Sequence, residues 1–259
     1  MNAITDYNFY NNEMKKGIED KLFFMNKIDV DIVVDYGCAD GSLIEVMQQF
    51  HPEKEYMGYD FEPEMIKKAN AKHIANANFF DNFTDLVNYL NLHKHKKSMV
   101  LCSSLIHEVY SYGNKESINV FWKNLYSGQF DFVVIRDMAF SEKEVNNETM
   151  AKWHDIERLR KNATPEHLAQ FESIWGSVEK QKNLVHYLLK YRYEKNWKRE
   201  VEENYFPVYT EQHLEYIPDN FQLIHFEHFT LPFNQETIKN DFNIKLNTKT
   251  HIKMIIKKC

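Results

Sequence analysis

Carboxylates flank a short run of small residues near the start of the chain. Asp35 precedes the turn at Gly37–Gly41, Asp40 lies inside that turn, and Asp60 follows it. An acid roughly 20 residues beyond a glycine-containing turn is typical of α/β crevices that bind the ribose of a nucleoside. Two carboxylates beside the turn disfavour a pyrophosphate, which needs positive surroundings. The residues therefore predict a site for a nucleoside ligand that carries positive charge.

The elements that would position these acids form a β-loop-α-β unit. Ile32–Val34 is a short β-branched run that predicts a buried parallel strand. Ser42–Phe50 has apolar residues at helical spacing, and Pro52 ends that helix. Tyr56–Tyr59 predicts a second strand with Asp60 at its carboxyl end. Three of the seven glycines of the chain lie in this unit, which indicates close approach of the backbone.

Two motifs in this unit resemble those of a known family. Asp35–Gly41 resembles motif I of the class I S-adenosylmethionine (SAM) dependent methyltransferases, D-x-G-C-x-x-G, and Gly58–Ile66 is similar to their second motif, G-x-D-x-x-x-x-M-I. Ala39 stands where dinucleotide-binding turns have their middle glycine, and alanine also permits close backbone approach. The resemblance covers roughly residues 30–140 and the closing strands. It implies SAM as the cofactor, and the two carboxylates suit its ammonium and sulfonium groups.

The resemblance also implies roles for single residues. Asp60 would bind both ribose hydroxyls, Phe61 and Met65 would flank the adenine, and the turn backbone would hold the methionine part. Asp81, with Asn82 beside it, would accept a hydrogen bond from the adenine amino group. Asp81 is also a candidate N-cap for a helix over 84–92, and both roles can hold together. The full set predicted to bind SAM is Asp35, Gly37, Cys38, Ala39, Asp40, Gly41, Asp60, Phe61, Met65, Asp81, Asn82, Ser103 and Ser104.

The segment after the fourth predicted strand, Ser98–Ser104, points to the methyl acceptor. Ligands bind at the carboxyl ends of parallel strands, so Ser103, Ser104 and His107 should lie near the chemistry. A histidine can take a proton from an acceptor hydroxyl or amine, which makes His107 the predicted catalytic residue; the alternative is a helix-start residue bonded to backbone. The segment lacks the Asn/Asp-Pro-Pro-aromatic motif of base-amine methylases, and Cys102 lacks the proline of cytosine C5 methylases.

Further substrate contacts are expected after the fifth strand, Phe130–Ile135. Arg136 at its end would bind an acidic substrate group, with Asp137 pairing to it, or the two would form a purely structural pair. The segment from 141 to 204 has apolar residues at helical spacing, and by resemblance it is an insertion that forms a lid over the acceptor. Alternatively, the polar residues of this segment would only pack within it or lie on solvated helix faces, without contacting the acceptor. The predicted substrate residues are Arg136, Asp137, His154 and Tyr191.

The whole chain is predicted to be one α/β domain with the class I SAM-methyltransferase Rossmann-like fold: a seven-stranded, mostly parallel sheet with an antiparallel C-terminal hairpin, plus a helical insertion. Its parts are an N-terminal helical segment (1–28), the SAM-binding core (29–140), the insertion or lid (141–204) and the closing strands (205–259). Tyr7, Tyr10 or Met14 would contact SAM; the alternative is that this segment is a helix that packs on the sheet and has a solvated tail. His225 and Glu227 share a strand face without a third ligand, so no metal is predicted.

Composition limits the partners. The net charge of -6 disfavours a nucleic-acid partner but does not exclude one. The three cysteines are too few for a disulfide framework, the polar residues Met1–Phe9 do not have the pattern of a signal peptide, and no apolar run is long enough to cross a membrane, so a cytoplasmic enzyme is expected. We predict methyl transfer to an oxygen or nitrogen nucleophile of a small molecule. The alternatives are an RNA or protein methyltransferase, a SAM-binding protein without methyl transfer and, more distantly, an NAD-dependent dehydrogenase.

Overall fold

The computed structural model describes residues 18–127 and 129–259, which contain a seven-stranded sheet. The strands are β1 (Ile32–Tyr36), β2 (Glu55–Tyr59), β3 (Ala77–Phe80), β4 (Ser98–Ser103), β5 (Phe132–Met138), β6 (Phe221–Phe229) and β7 (His251–Lys258). Their order across the sheet is β3-β2-β1-β4-β5-β7-β6. The first five are parallel, and β7 runs antiparallel between β5 and β6. The predicted sheet and its antiparallel closing pair are confirmed.

Helices cover the sheet and fill the connection between β5 and β6. Prolines begin three of them, where a missing backbone N–H costs nothing. No helix of the described ranges is long and apolar enough to cross a membrane. The helices are α1 (Ile18–Lys21), α2 (Ser42–Phe50), α3 (Pro63–Ala71), α4 (Phe83–Leu92), α5 (Ile106–Tyr112), α6 (Lys115–Leu125), α7 (Trp153–Asn162), α8 (Pro165–Trp175), α9 (Gln181–Lys190), α10 (Trp197–Glu200), α11 (Thr210–Glu215) and α12 (Pro232–Phe242).

The sheet is buried on both faces. Alternate residues of β1 belong to different cores: Ile32 and Val34 pack on one side and Val33 on the other. Each is at most 1% exposed, and full burial of such a side chain stabilises the fold by roughly 1.5–3 kcal/mol. The helices after β5 have a third core, built around Phe171 and Val185. This third core also contains Ile238 and Phe242 of α12, so the connection after β5 packs together with the helix that follows β6.

Several local predictions need correction. Apolar residues at helical spacing also predict a helix over 13–28; within its described part the helix ends at Lys21, and residues 22–27 form turns in which Phe24 is buried. Tyr7, Tyr10 and Met14 lie outside the described residues, as does Gly128, at which the sequence predicts the end of the helix that begins near Ile118. The sequence also predicts Thr210 as the N-cap of a helix over 211–216, which is wrong. Thr210 is the first residue of α11, and the N–H of Tyr209 before it donates to Gln212 Oε1 at 2.9 Å.

The faces of β6 also differ from the prediction. Ile224 and Phe226 are 46% and 41% exposed, whereas His225 between them is half-buried. The cause is a break in the strand register between Leu223 and His225, at the edge of the sheet. A one-residue shift moves every later side chain to the opposite face. The alternation of His225 and Glu227 with apolar residues predicts a solvated strand face; this is wrong for His225, whereas Glu227 is exposed.

Candidate active site

The loop after β1 turns through left-handed backbone. Gly37 and Ala39 have φ angles of +82° and +46°. The positive φ of Gly37 favours glycine there, and a Cβ would lie 2.6 Å from Leu105 Cδ1, so any side chain would also require Leu105 to move. The N–H groups of Gly37 and Cys38 donate to Tyr59 O at 2.7 and 3.0 Å. These bonds hold the loop over the carboxyl end of β2.

Asp60 follows β2 and faces this loop. Its Oδ2 accepts from the N–H of Ala39 at 2.9 Å, and its Oδ1 accepts from the N–H of Glu62 at 3.0 Å. Burial raises the pKa of Asp60, and the two backbone donors oppose that rise. Each carboxylate oxygen retains a further lone pair. The group can therefore accept two more hydrogen bonds, as a ligand with neighbouring hydroxyls requires.

Asp35 lies inside β1 beside a lysine that the sequence analysis did not identify. Asp35 is 3% exposed and Lys21, on α1, is 5% exposed. Burial raises the pKa of Asp35 to about 7, against the attraction of Lys21 and with the help of Asp60. Burial and the charge of Arg136 lower the pKa of Lys21 to about 7. No spacing pattern links these residues, because their proximity depends on how α1 packs against the sheet.

Two other residues of the predicted SAM turn have contacts within the protein. Asp40 Oδ1 accepts from the N–H of Ser42 at 3.1 Å, and its Oδ2 lies 3.1 Å from Lys72 Nζ. Burial works to raise the pKa of Asp40, but these partners lower it. The Cys38 thiol is buried, and burial raises its pKa far above the ordinary value. Cys38 would therefore meet a ligand through its backbone.

The residues predicted around the adenine lie at the surface near the ends of β2 and β3. Phe61 is 67% exposed, Met65 is half-buried and Asp81 is exposed. The expected cap of the next helix is one residue further on: Asn82 Oδ1 accepts from the N–H of Thr84 at 2.8 Å. The N-cap interpretation of Asp81 is therefore wrong, and its side chain stays available at this edge.

Asp137 organises the segment that follows β4. Its Oδ2 accepts from the N–H groups of Leu105 and Ile106 at 2.9 and 2.6 Å. Its Oδ1 accepts from the N–H of Met138 and from His107 Nδ1, each at 2.7 Å. Because a carboxylate can only accept, Nδ1 carries the proton. With Asp137 1% exposed and His107 5% exposed, the pair is shielded from water.

This pairing sets the charge on both groups. Burial works to lower the pKa of His107, but the charge and hydrogen bond of Asp137, helped by Glu203 and Glu108, raise it to about 9. Burial works to raise the pKa of Asp137, but His107 and the backbone donors hold it at about 2. At neutral pH the pair is an imidazolium and a carboxylate. His107 is thus a hydrogen-bond donor there, and its imidazolium form holds no lone pair for a proton.

Arg136 does not pair with its sequence neighbour. Its Nε and Nη2 each lie 2.8 Å from Asp20 Oδ2, and its Nη1 donates to Ser104 Oγ at 3.0 Å. Lys253 Nζ lies 2.6 Å from the other oxygen of Asp20. The predicted pair of Arg136 with Asp137 is wrong, because successive side chains of a strand point to opposite faces.

A cavity of about 140 Å³ lies between this edge of the sheet and the helices after β5. Ser104 after β4, His107 on α5 and Arg136 on β5 line one side of it. Glu203 and Tyr205 line it from the segment after α10. The cavity thus joins charged groups and an aromatic ring beside Ser104, the residue that follows β4.

The predicted substrate residues are not all at this cavity. Arg136 is among its described lining residues, and Asp137 lies behind His107. His154 is 57% exposed on α7, with Nε2 3.2 Å from Asp155 Oδ1. The Tyr191 hydroxyl donates to the Asp241 carboxylate. The structure therefore brings together only the residues from the sheet edge.

A further cluster borders the cavity. Ligand atoms of His107, Glu108 and Glu203 all lie within 4.8 Å of one another, as a metal site requires. Arg199 Nη2, however, lies 2.8 Å from a carboxylate oxygen of both Glu108 and Glu203. Its guanidinium already supplies the positive charge between them, so the cluster needs no ion for charge balance.

Comparisons with known proteins give one family and one fold. A family model described as a methyltransferase domain matches residues 29–203. No curated protein matches the chain. The crystal structure of the small RNA methyltransferase HEN1 is similar, with a TM-score of 0.50 and 14% identity, and the alignment covers 100% of this chain and 26% of that one. At this identity the likeness concerns the fold alone.

Two further solved structures align over most of this chain. The plantazolicin methyltransferase BamL, in complex with a triazolic desmethylPZN analog and SAH, gives a TM-score of 0.46 at 12% identity, covering 96% of this chain and 88% of that one. The methyltransferase domain of bacterial CtHen1-C gives 0.45 at 11% identity, covering 95% and 98%.

Proposed function

The chain belongs to the methyltransferase-domain family whose model spans residues 29–203, and we propose that this SAM-dependent methyltransferase acts on an oxygen or nitrogen nucleophile of a small molecule. When bound, SAM supplies a methyl group that its sulfonium already activates. The protein then has three tasks: to position donor and acceptor, to exclude water and to manage the acceptor's proton.

The described residues fit SAM at two independent points. The Asp60 carboxylate has lone pairs left for two ribose hydroxyls, beside the loop that Gly37 turns. Ser103 Oγ, at the carboxyl end of β4, is buried without a hydrogen-bond partner among the described residues. A buried hydroxyl without a partner is costly unless a ligand or water satisfies it. These features support the predicted cofactor site, with Phe61 and Met65 beside the adenine.

The proposal of a small-molecule acceptor rests on the cavity beside Ser104 and His107. Its volume of about 140 Å³ suits a small molecule or one protruding group. The helical unit from 141 to 204 would serve as the lid, because its residues Leu189, Glu200 and Glu203 line the cavity. We propose that His107, held by Asp137, donates a hydrogen bond to the acceptor there. The net charge of -6 agrees with a small acceptor better than with nucleic acid.

The proposal is tested by incubating the protein with tritium-labelled SAM and three separate acceptor pools: small phenols, carboxylic acids and amines; total RNA; and mixed proteins. We expect label in the small-molecule pool only. An Asp60→Ala variant should transfer at least about tenfold less at limiting SAM, because a hydrogen bond to a charged group contributes about 1.5–3 kcal/mol.

Any other result of this experiment would refute a specific part of the proposal. Label in RNA or protein alone would refute the small acceptor, and RNA retention on filters at low salt but not at high salt would support the RNA alternative. SAM binding without label in any pool would indicate a SAM-binding protein without methyl transfer. Absence of SAM binding would contradict the cofactor site itself.

A further inference from the structure

A second histidine lines the same cavity from another strand. His251 is the first residue of β7 and is 3% exposed. It pairs across the sheet with Met138, the last residue of β5. Its ring packs near Phe229 of β6, with ring centroids 5.6 Å apart. No motif in the sequence marks it as a functional residue.

The two ring nitrogens of His251 have different surroundings. Nδ1 lies 2.8 Å from Thr250 Oγ1. Thr250 is fully buried and fixed by its backbone: its N–H donates to Phe229 O at 2.9 Å, and its carbonyl accepts from the N–H of Ala139 at 3.1 Å. Nε2 has no hydrogen-bond partner among the residues that the structure describes. The ring is therefore anchored at one nitrogen only.

Burial and the surrounding charges together favour the neutral form of His251. The charged and titratable groups that act on it are Arg136 and Asp137 of β5, His107 of α5 and His228 of β6. Burial lowers the pKa of His251 well below its ordinary value; Arg136 and the two histidines add to this effect, and Asp137 opposes it. The same cavity thus holds one histidine with a raised pKa and one with a lowered pKa. Pairs of this kind identify the acid and base roles in active sites.

We propose that His251 donates Nδ1–H to Thr250 Oγ1 and accepts the proton of the methyl acceptor at Nε2. His107, held by Asp137, donates a hydrogen bond to the methyl acceptor and so positions it. This inference rests on the proposed function. In the step, a lone pair of the acceptor forms the bond to the methyl carbon, and the electron pair of the carbon–sulfur bond stays on sulfur. The acceptor's proton moves to Nε2, and the imidazolium later releases it to water.

The first test measures the rings directly. Nitrogen-15 NMR of histidine-labelled protein with bound SAH gives the tautomer and charge of each ring, and His107→Gln and His251→Gln assign the two signals. We expect the His251 ring to be neutral at pH 7 with its proton on Nδ1, and the His107 ring to be doubly protonated. A proton on Nε2 of His251, or a charged His251 ring at pH 7, would overturn the proposal.

The second test measures methyl transfer to the small-molecule pool. His251→Gln should lower the rate by about 100-fold or more, the usual contribution of a positioned base, without changing SAM affinity in calorimetry. Thr250→Val, which keeps the ring but removes its anchor, should also lower the rate. His225→Gln, on β6 and outside the cavity lining, serves as the matched control and should transfer at the wild-type rate.

The outcomes separate the two proposals. A His251→Gln variant that binds SAM and transfers at the wild-type rate would refute the role of His251 and leave the small acceptor standing. A wild-type protein that labels no small molecule would refute the small acceptor, and the role of His251 would fall with it.

Discussion

Replacing Asp137 by Asn tests the charge state on which the candidate site depends. The carboxylate is 1% exposed and accepts from three backbone N–H groups and from His107. Asparagine keeps the size and one acceptor oxygen but cannot balance an imidazolium. The variant should therefore lose the electrostatic part of the interaction while keeping much of the packing.

The magnitude follows from the pKa of His107, which Asp137 and nearby acids raise from 6.5 to about 9. At 1.36 kcal/mol per pKa unit, this rise stabilises the folded protein by about 3 kcal/mol. Because the folded-state pKa is raised, the contribution is complete below pH 6.5 and is lost as the pH rises through about 9. The pKa of Asp137 is lowered from 3.8 to about 2, so its contribution holds above pH 3.8 and is lost as the pH falls through about 2.

Urea unfolding of wild type and Asp137→Asn at about pH 5.5 and about pH 9.5 measures the effect. The difference in free energy of unfolding should be about 3 kcal/mol larger at the lower pH. Asp155→Asn is the matched control, since Asp155 also contacts a histidine, the exposed His154. The His154 side chain is 57% exposed, so solvent weakens this pair and its difference should hardly change with pH. An Asp137→Asn difference that is the same at both pH values would show that His107 is not charged in the folded protein.

Two further substitutions test the cofactor site and its packing. Asp60→Ala should weaken SAM binding at least about tenfold in calorimetry. The control Asp29→Ala, which removes an exposed acid paired with Lys54, should bind SAM as the wild type does. Equal SAM affinities for the two variants would refute the ribose contact. Gly58→Ala would place a Cβ 2.4 Å from Phe79 Cδ1, so it should lower the free energy of unfolding, measured in urea, by about 1–3 kcal/mol. Adding Phe79→Leu should recover part of this loss. A Gly58→Ala variant as stable as the wild type would contradict the close packing.

The sequence predicted the sheet because its signals were local. Ile32–Val34 is uniformly apolar since both faces of β1 are buried, and this pattern needs no knowledge of the partner strands. The turn at Gly37 was equally clear, because its left-handed backbone restricts the residue type at that position. The register break in β6 had no such signal, since Leu223, Ile224 and His225 do not mark it.

The partners of the charged groups could not be predicted in this way. His107 meets Asp137 from 30 residues away, and Arg136 meets Asp20 from 116 residues away. Both contacts depend on which strands are neighbours: β5 lies beside β4, so the acid near its end reaches the segment after β4. Sequence adjacency instead suggested a pair between Arg136 and Asp137, and the alternation of strand side chains rules it out.

The position of His251 has a topological cause that the usual rule for this fold overlooks. Functional residues are sought after the carboxyl ends of parallel strands, which led the sequence analysis to Ser104 and His107. β7 runs the opposite way, so its first residue, His251, lies opposite Met138 at that same edge. An antiparallel strand therefore brings its amino end to the site. In a sheet of this order the opening residues of the last strand belong among the candidates for catalysis, although they precede their strand's apolar run.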